Sequence, residues 1–229
     1  MTKIAIIGGG ASGLACAIEI MRTVKNKDDV KVTILERLPR VGKKILVTGN
    51  GRCNITNVNA SVENYRGDAD YTLHALDKYS PQSNIEFFNS LGLYTRTEDE
   101  GRVYPLSNQA SSVLDALRFE CARLGVEIIC DYRAVHLKTV YTGVATKIIV
   151  NNRDRFDYVV VACGGMACKA HGTDGDAYDL LKMFGHKIVS PAPALVSLNC
   201  DEFTKALKGV RSICKMNLII DGEKALENY

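Results

Sequence analysis

An apolar run, Lys3-Ile-Ala-Ile-Ile7, breaks into the glycine-rich stretch Gly8 to Gly13, and an Ala-, Leu- and Ile-rich stretch continues from Ala11 to Met21. This pattern predicts a buried strand over 3–7, a glycine turn and a helix over 11–24. A second apolar run, Val30 to Leu35, predicts a strand over 30–36. The segment from Pro39 to Asn59 is rich in glycine and basic residues and has little periodicity. It reads as a long loop, and loops of that length inside a compact domain are usually functional. Helical spacing returns over 71–79 and 81–91. Tyr94–Arg96 and Arg102–Tyr104 flank Glu98-Asp-Glu-Gly101 as a small hairpin. Val113, Leu114, Leu117, Cys121 and Leu124 then repeat at helical spacing. They predict an amphipathic helix that Ser107 caps and Gly125 ends.

Val126 to Ile129 is a short apolar strand able to join a parallel sheet, and 132–140 and 144–150 alternate as an antiparallel insertion. Phe156 to Val161 is the next strand, and Asp157 to Gly165 runs from apolar residues into a glycine turn. Gly172 to Asp176 opens a further helix, to Phe184. Pro191-Ala-Pro193 shifts the composition, and Leu195–Asn199 is strand-like, which places a boundary near Pro191. Alternating strands and helices predict an α/β fold: a Rossmann-like domain over 1–190 with a parallel sheet and an antiparallel crossover. Residues 191–229 read as the start of a β-rich inserted domain.

The first turn has the form Gly8-x-Gly10-x-x-Gly13 between a strand and a helix, with Glu36 about 20 residues further on at the end of the second strand. Gly8 suits a sharp turn, Gly10 suits close approach of a pyrophosphate, and Gly13 suits tight helix–sheet packing. A helix N-terminus attracts phosphates, so Ala11 and Ser12 join the candidate site. A carboxylate at Glu36 accepts hydrogen bonds from the adenosine ribose hydroxyls and repels a 2′-phosphate. A strand–turn–helix without a ligand is the bland alternative. An NAD-dependent dehydrogenase is another, although it leaves the 42–57 loop without a purpose.

The chain has 229 residues, 29 Lys and Arg against 26 Asp and Glu, and interspersed charge. That balance suits a globular protein and gives no basic patch for nucleic acid or membrane. No run is long enough to span a bilayer, and no secretory leader is evident. The eight cysteines contain no CxxC pair. They read as reduced thiols of a cytoplasmic protein, without a metal site. Cys16, Cys121 and Cys163 read as core packing. His171 is the one histidine near candidate chemistry; His74, His136 and His186 read as structural.

From Glu36 to Asn57 the sequence resembles the BaiN-type, aminoacetone-oxidase-like (YhiN-type) group of FAD-dependent oxidoreductases. Gly42, Lys44, Thr48, Gly49, Gly51, Arg52, Cys53, Asn54, Thr56 and Asn57 match that group's signature. The Val159–Gly165 strand and turn, the Gly172–Tyr178 helix start and Pro193 to Leu198 also resemble it. The resemblance implies FAD as cofactor. It implies that Glu36 and Arg37 flank the adenosine, that Lys43 and Lys44 lie near the cofactor, and that Thr48, Gly49, Gly51, Arg52, Cys53 and Asn54 line the flavin and ribityl chain. It implies that Val135 presents backbone to adenine and that Ala162, Gly164 and Gly165 pass under the pyrophosphate. Cys53 is then a small neighbour of the flavin rather than a redox thiol. Asp174 and Asp176 are either helix-start carboxylates or groups near the flavin.

The resemblance further implies hydride transfer between a small organic substrate and flavin N5, with oxygen or NAD(P)H as redox partner. It also implies that this chain is an N-terminal part, ending inside the inserted domain. A non-catalytic FAD- or nucleotide-binding protein, or an inactive fragment, is the alternative.

Overall fold

In chain order, the computed structural model contains β1 (Thr2–Ile7), α1 (Ala11–Thr23), β2 (Val30–Leu35), β3 (Thr56–Asn57), α2 (Leu73–Lys78) and α3 (Pro81–Ser90). There follow β4 (Thr95–Thr97), β5 (Arg102–Pro105), α4 (Ala110–Arg123), β6 (Glu127–Ile129), β7 (Leu137–Tyr141), β8 (Thr146–Val150), β9 (Asp154–Phe156), β10 (Tyr158–Val161) and α5 (Asp176–Lys182). A hairpin, β11 (Asn217–Ile220) and β12 (Glu223–Glu227), comes last. The structure describes residues 1–194, 210 and 217–227. The chain forms two compact units, Met1–Pro191 and Ala192–Tyr229.

The first unit is organised by a parallel sheet in the order β10-β1-β2-β6. β1 pairs with β2 from Thr2↔Val30 to Ile7↔Leu35, and with β10 from Ile4↔Tyr158 to Ile7↔Val161. A central parallel strand is covered on both faces, which is why the sequence of β1 reads as an unbroken apolar run. On one face Ile6, Val32 and Ile34 pack with Leu14 and Ile18 of α1 and Leu117 and Cys121 of α4. On the other, Ala5, Ile7 and Leu35 pack with Leu137, Val150 and Phe156 of the β7-β8-β9 meander and Leu180 of α5. A Rossmann-like parallel sheet with an antiparallel crossover is therefore the fold of this unit.

Four details depart from the sequence pattern. The fourth helix begins at Ala110, not after Ser107. Asn108 takes a left-handed φ of 56°, and the Ser107 hydroxyl accepts the Gln109 N–H, so Ser107 closes a turn before the helix. The small hairpin gains β3 as a third strand, in the order β3-β5-β4. The single run Phe156–Val161 is broken at Asp157. Its N–H donates to the Lys3 carbonyl, and its carboxylate accepts the Lys3 N–H and pairs with Lys147. The chain before that residue belongs to the meander and the chain after it to the parallel sheet. The helix over 71–79 starts as a tight turn, Ala69–Thr72, before α2. The strand expected at Leu195–Asn199 lies outside the described residues. In the second unit, Asp221 and Gly222, both with positive φ, turn β11 back onto β12.

Arg22 at the end of α1 ties three helices together. It donates to Glu120 of α4 at 2.7 and 3.0 Å and to Ser90 of α3 at 2.9 Å. Arg123 donates to the same carboxylate at 2.6 and 2.8 Å. Glu120 is 8% exposed, and the guanidiniums, Arg123 foremost, hold its carboxyl at about 2. Glu120→Gln should lower stability at neutral pH by about 2 kcal/mol, the scale of a charged hydrogen bond. The folded carboxyl titrates below its ordinary value, so its contribution is full above about pH 4.5 and fades as the pH falls toward 2. Chemical denaturation of wild type and variant across that range should show the gap closing; a constant gap would refute the assignment.

Candidate functional site

At the carboxyl end of β1 the chain turns at Gly8, whose φ is +108°. The turn leads directly into α1, with Gly10 as the residue before its first turn. No side chain caps α1, and no acidic residue sits in its first turn. The leading N–H groups of a helix have no partner within the helix, so these face outward as donors. A Cβ on Gly13 would fall 2.0 Å from the Gly8 carbonyl oxygen, whereas a Cβ on Gly10 would meet nothing within 4 Å. Gly13 is thus required by packing inside the protein. Gly10 borders open space.

That space is a cavity of about 410 Å³ at the carboxyl edge of the sheet, all within the first unit. The glycine turn contributes Gly8, Gly10, Ala11 and Ser12 to its wall. Glu36, which follows β2, is 8% exposed. Its carboxylate accepts the Gly9 N–H at 2.7 Å and the Leu38 N–H at 2.8 Å, and it also lines the cavity. The 42–54 segment contributes Gly42, Lys43, Lys44, Thr48, Cys53 and Asn54. Its shape comes from a run of left-handed residues, Gly49, Asn50, Gly51 and Cys53, closed by the Cys53 N–H donating to the Thr48 carbonyl at 3.0 Å. The turn after β10 contributes Ala162, Cys163 and Gly164.

Charge at the wall is asymmetric. Arg37, Arg40, Lys43, Lys44 and Arg133 face it with only Glu36 and Asp176 as carboxylates. Arg37 donates to Asp174 at 2.7 Å and to Asp176 at 2.9 Å, and Arg133 donates to Asp176 at 2.6 Å. Arg133 and Arg37 hold the Asp176 carboxyl below the usual carboxylate range, and Asp174 pushes the Arg37 guanidinium up. Among the described residues neither Lys43 nor Lys44 has an ion-pair partner. Burial pushes the Cys53 thiol up and the Cys163 thiol to about 11, so neither is a thiolate at neutral pH. His171 lines the cavity with its Nδ1 buried and without a hydrogen-bond partner. Among the described residues no cluster of His, Cys, Asp and Glu has metal-ligand geometry, and no helix is long and apolar enough to cross a membrane.

Six expected site residues lie off the cavity wall. Gly13 packs against Gly8, Gly49 against Asn54, and Gly165 against Tyr178. Gly51 shapes the loop through its φ of +81°. Val135 is half-exposed and donates its N–H to Asn151 at 2.9 Å; the wall is built instead by Tyr132, Arg133 and Ala134. Arg52 points to the β4–β5 hairpin, where it donates to Glu98. Arg40 and Thr173 also line the cavity and were not singled out from the sequence. Arg133, two positions before Val135, lines the cavity where Val135 does not.

The described family "HI0933-like protein Rossmann domain" matches residues 2–214. The 3-dehydro-bile acid delta(4,6)-reductase of Clostridium scindens is 40% identical over the whole of this chain and 55% of its own length. A ribosomal RNA dihydrouridine synthase of Haemophilus influenzae is 25% identical over 90% of this chain and 51% of its own length. The chain thus spans about half the length of these curated relatives. Among solved structures, THI4 of Thermovibrio ammonificans is similar at 19% identity and a TM-score of 0.49, over 81% of this chain and 64% of that one. The match along nearly the entire chain bears out the resemblance carried by Gly42–Asn57: this chain belongs to the HI0933-like Rossmann-domain family.

Proposed function

We propose that the first unit is the FAD-binding part of a flavin-dependent oxidoreductase that reduces a small organic substrate. The observation that carries this reading is one cavity in which an open glycine turn, the Glu36 carboxylate and the 42–54 loop face one another. The residues fit the cofactor. Space beside Gly10 and uncapped N–H groups suit a pyrophosphate, and five cations against two carboxylates suit its charge. Each Glu36 oxygen accepts one backbone N–H and keeps acceptor capacity for ribose hydroxyls. Arg37 stands beside that position. Lys44, Thr48, Cys53 and Asn54 also line the wall, where they would hold a flavin ring and ribityl chain.

FAD would supply hydride exchange between its N5 and a substrate carbon. The chain's part would be to bind and orient: backbone donors of the glycine turn would hold the phosphates, and the 42–54 loop would hold the flavin. Residues 191–229 would begin a β-rich inserted domain. The name of the Clostridium scindens relative, a reductase, favours the reductive direction. The name of the Haemophilus influenzae relative favours a second reading, in which the group reduced is a base within RNA. Binding of ribosomal RNA fragments, followed by fluorescence anisotropy, separates the two.

Releasing and chromatographing the cofactor from purified protein should yield FAD; NAD alone would overturn the proposal. Gly10→Val should abolish flavin retention while circular dichroism stays near wild type, because its Cβ would enter the open space with no protein atom within 4 Å. A yellow Gly10→Val protein would refute the pyrophosphate placement. Glu36→Ala should weaken FAD binding by roughly 1–3 kcal/mol, the scale for leaving buried donors unpaired. An unchanged Kd in a flavin titration would remove Glu36 from the site.

A further inference from the structure

Arg52, Glu98 and Tyr104 form a cluster beside the cavity that the cofactor reading leaves unused. The Arg52 guanidinium stacks 3.8 Å from the centre of the Tyr104 ring and donates to both Glu98 oxygens, at 3.1 and 3.0 Å. Arg96 donates to the same carboxylate at 2.6 Å and to the Asn108 side chain at 2.9 Å. Tyr104 is buried, and its ring edge lies 3.2 Å from where a Gly49 Cβ would stand. The ring therefore packs against the loop at Gly49 and carries the Arg52 guanidinium on its face. Arg52 adjoins Cys53 and Asn54, which line the cavity, and four residues of this loop have positive φ. Such a backbone persists only where surrounding contacts over-determine it.

We infer that Glu98, on the β4–β5 hairpin and outside the cavity, is a positioning residue that fixes the 48–54 loop by clamping Arg52 onto Tyr104. This rests on the flavin reading of the cavity. Two arginines share one carboxylate, so the clamp is charge-assisted and geometrically forked. The planar guanidinium stacks while it bonds, which a lysine at the same position cannot reproduce.

The test uses the 229-residue chain as Glu98→Gln, Arg52→Ala and the double variant, read by amide hydrogen exchange and by flavin titration. Exchange at Arg52 and Cys53, whose N–H groups bond Gly49 and Thr48, should quicken by about tenfold in each variant, while β1 and α1 stay protected. Flavin Kd should rise by about tenfold, and the double variant should lose no more than either single one, because both act through the same pair. Loop amides exchanging at the wild-type rate would overturn the inference. So would loosened amides with unchanged flavin affinity, or additive losses in the double variant. If wild type takes up no flavin, the cofactor reading fails, and loop exchange alone then decides whether the clamp exists.

Discussion

The site depends on one buried carboxylate. Glu36 bonds the N–H of Gly9 in the glycine turn and the N–H of Leu38 beyond its own strand. An ionised carboxylate withdrawn from water requires compensation, and here it comes from two backbone donors and a wall rich in cations. The bond to Gly9 fixes where the turn crosses the sheet edge. The Gly42 N–H then donates to the Gly9 carbonyl at 2.8 Å, so the start of the long loop is hung from the same residue. The Glu36 side chain, together with the backbone bonds from Gly8 to Leu35 and from Gly42 to Gly9, thereby holds strand, turn and loop in register where β2 ends.

The two faces of the sheet divide the labour. α1 and α4 supply the rigid apolar backing, with Arg22 and Glu120 closing its far end. The meander and α5 cover the opposite face; Asp176 of α5, and Arg133 on the segment before β7, stand on the cavity wall, where they join Arg37. That ion network links the ends of β2 and the start of α5 across more than a hundred residues of sequence. Its members are only partly shielded, so it orders the cavity wall more than it stabilises the fold.

Much of this was legible in the residues. The apolar runs of β1 and β2 and the spacing of Leu117 and Cys121 follow from burial on both sheet faces, which periodicity reports directly. The glycine turn and Glu36 were legible because their residue types stand at fixed intervals around a strand and a helix, and the structure brings both to the cavity wall. Other features depend on contacts that local pattern does not encode. The motif around Arg52 does not announce that Glu98, 46 positions away, accepts hydrogen bonds from its guanidinium. The Ser107 cap failed because left-handed Asn108 intervened. The cavity wall near Val135 is built by Tyr132, Arg133 and Ala134, and Asn151 takes the Val135 N–H, a contact 16 positions away that local pattern does not encode.

The break at Asp157 has a consequence for how such a protein can change. A single residue switches the chain from meander to parallel sheet while holding β1 through Lys3. Everything between β6 and β10 is consequently a detour whose departure and return are fixed independently of its length. Its outer tip, with Val144 almost wholly exposed, can drift, lengthen or acquire new recognition surface over evolutionary time without shifting the strand that carries the glycine turn.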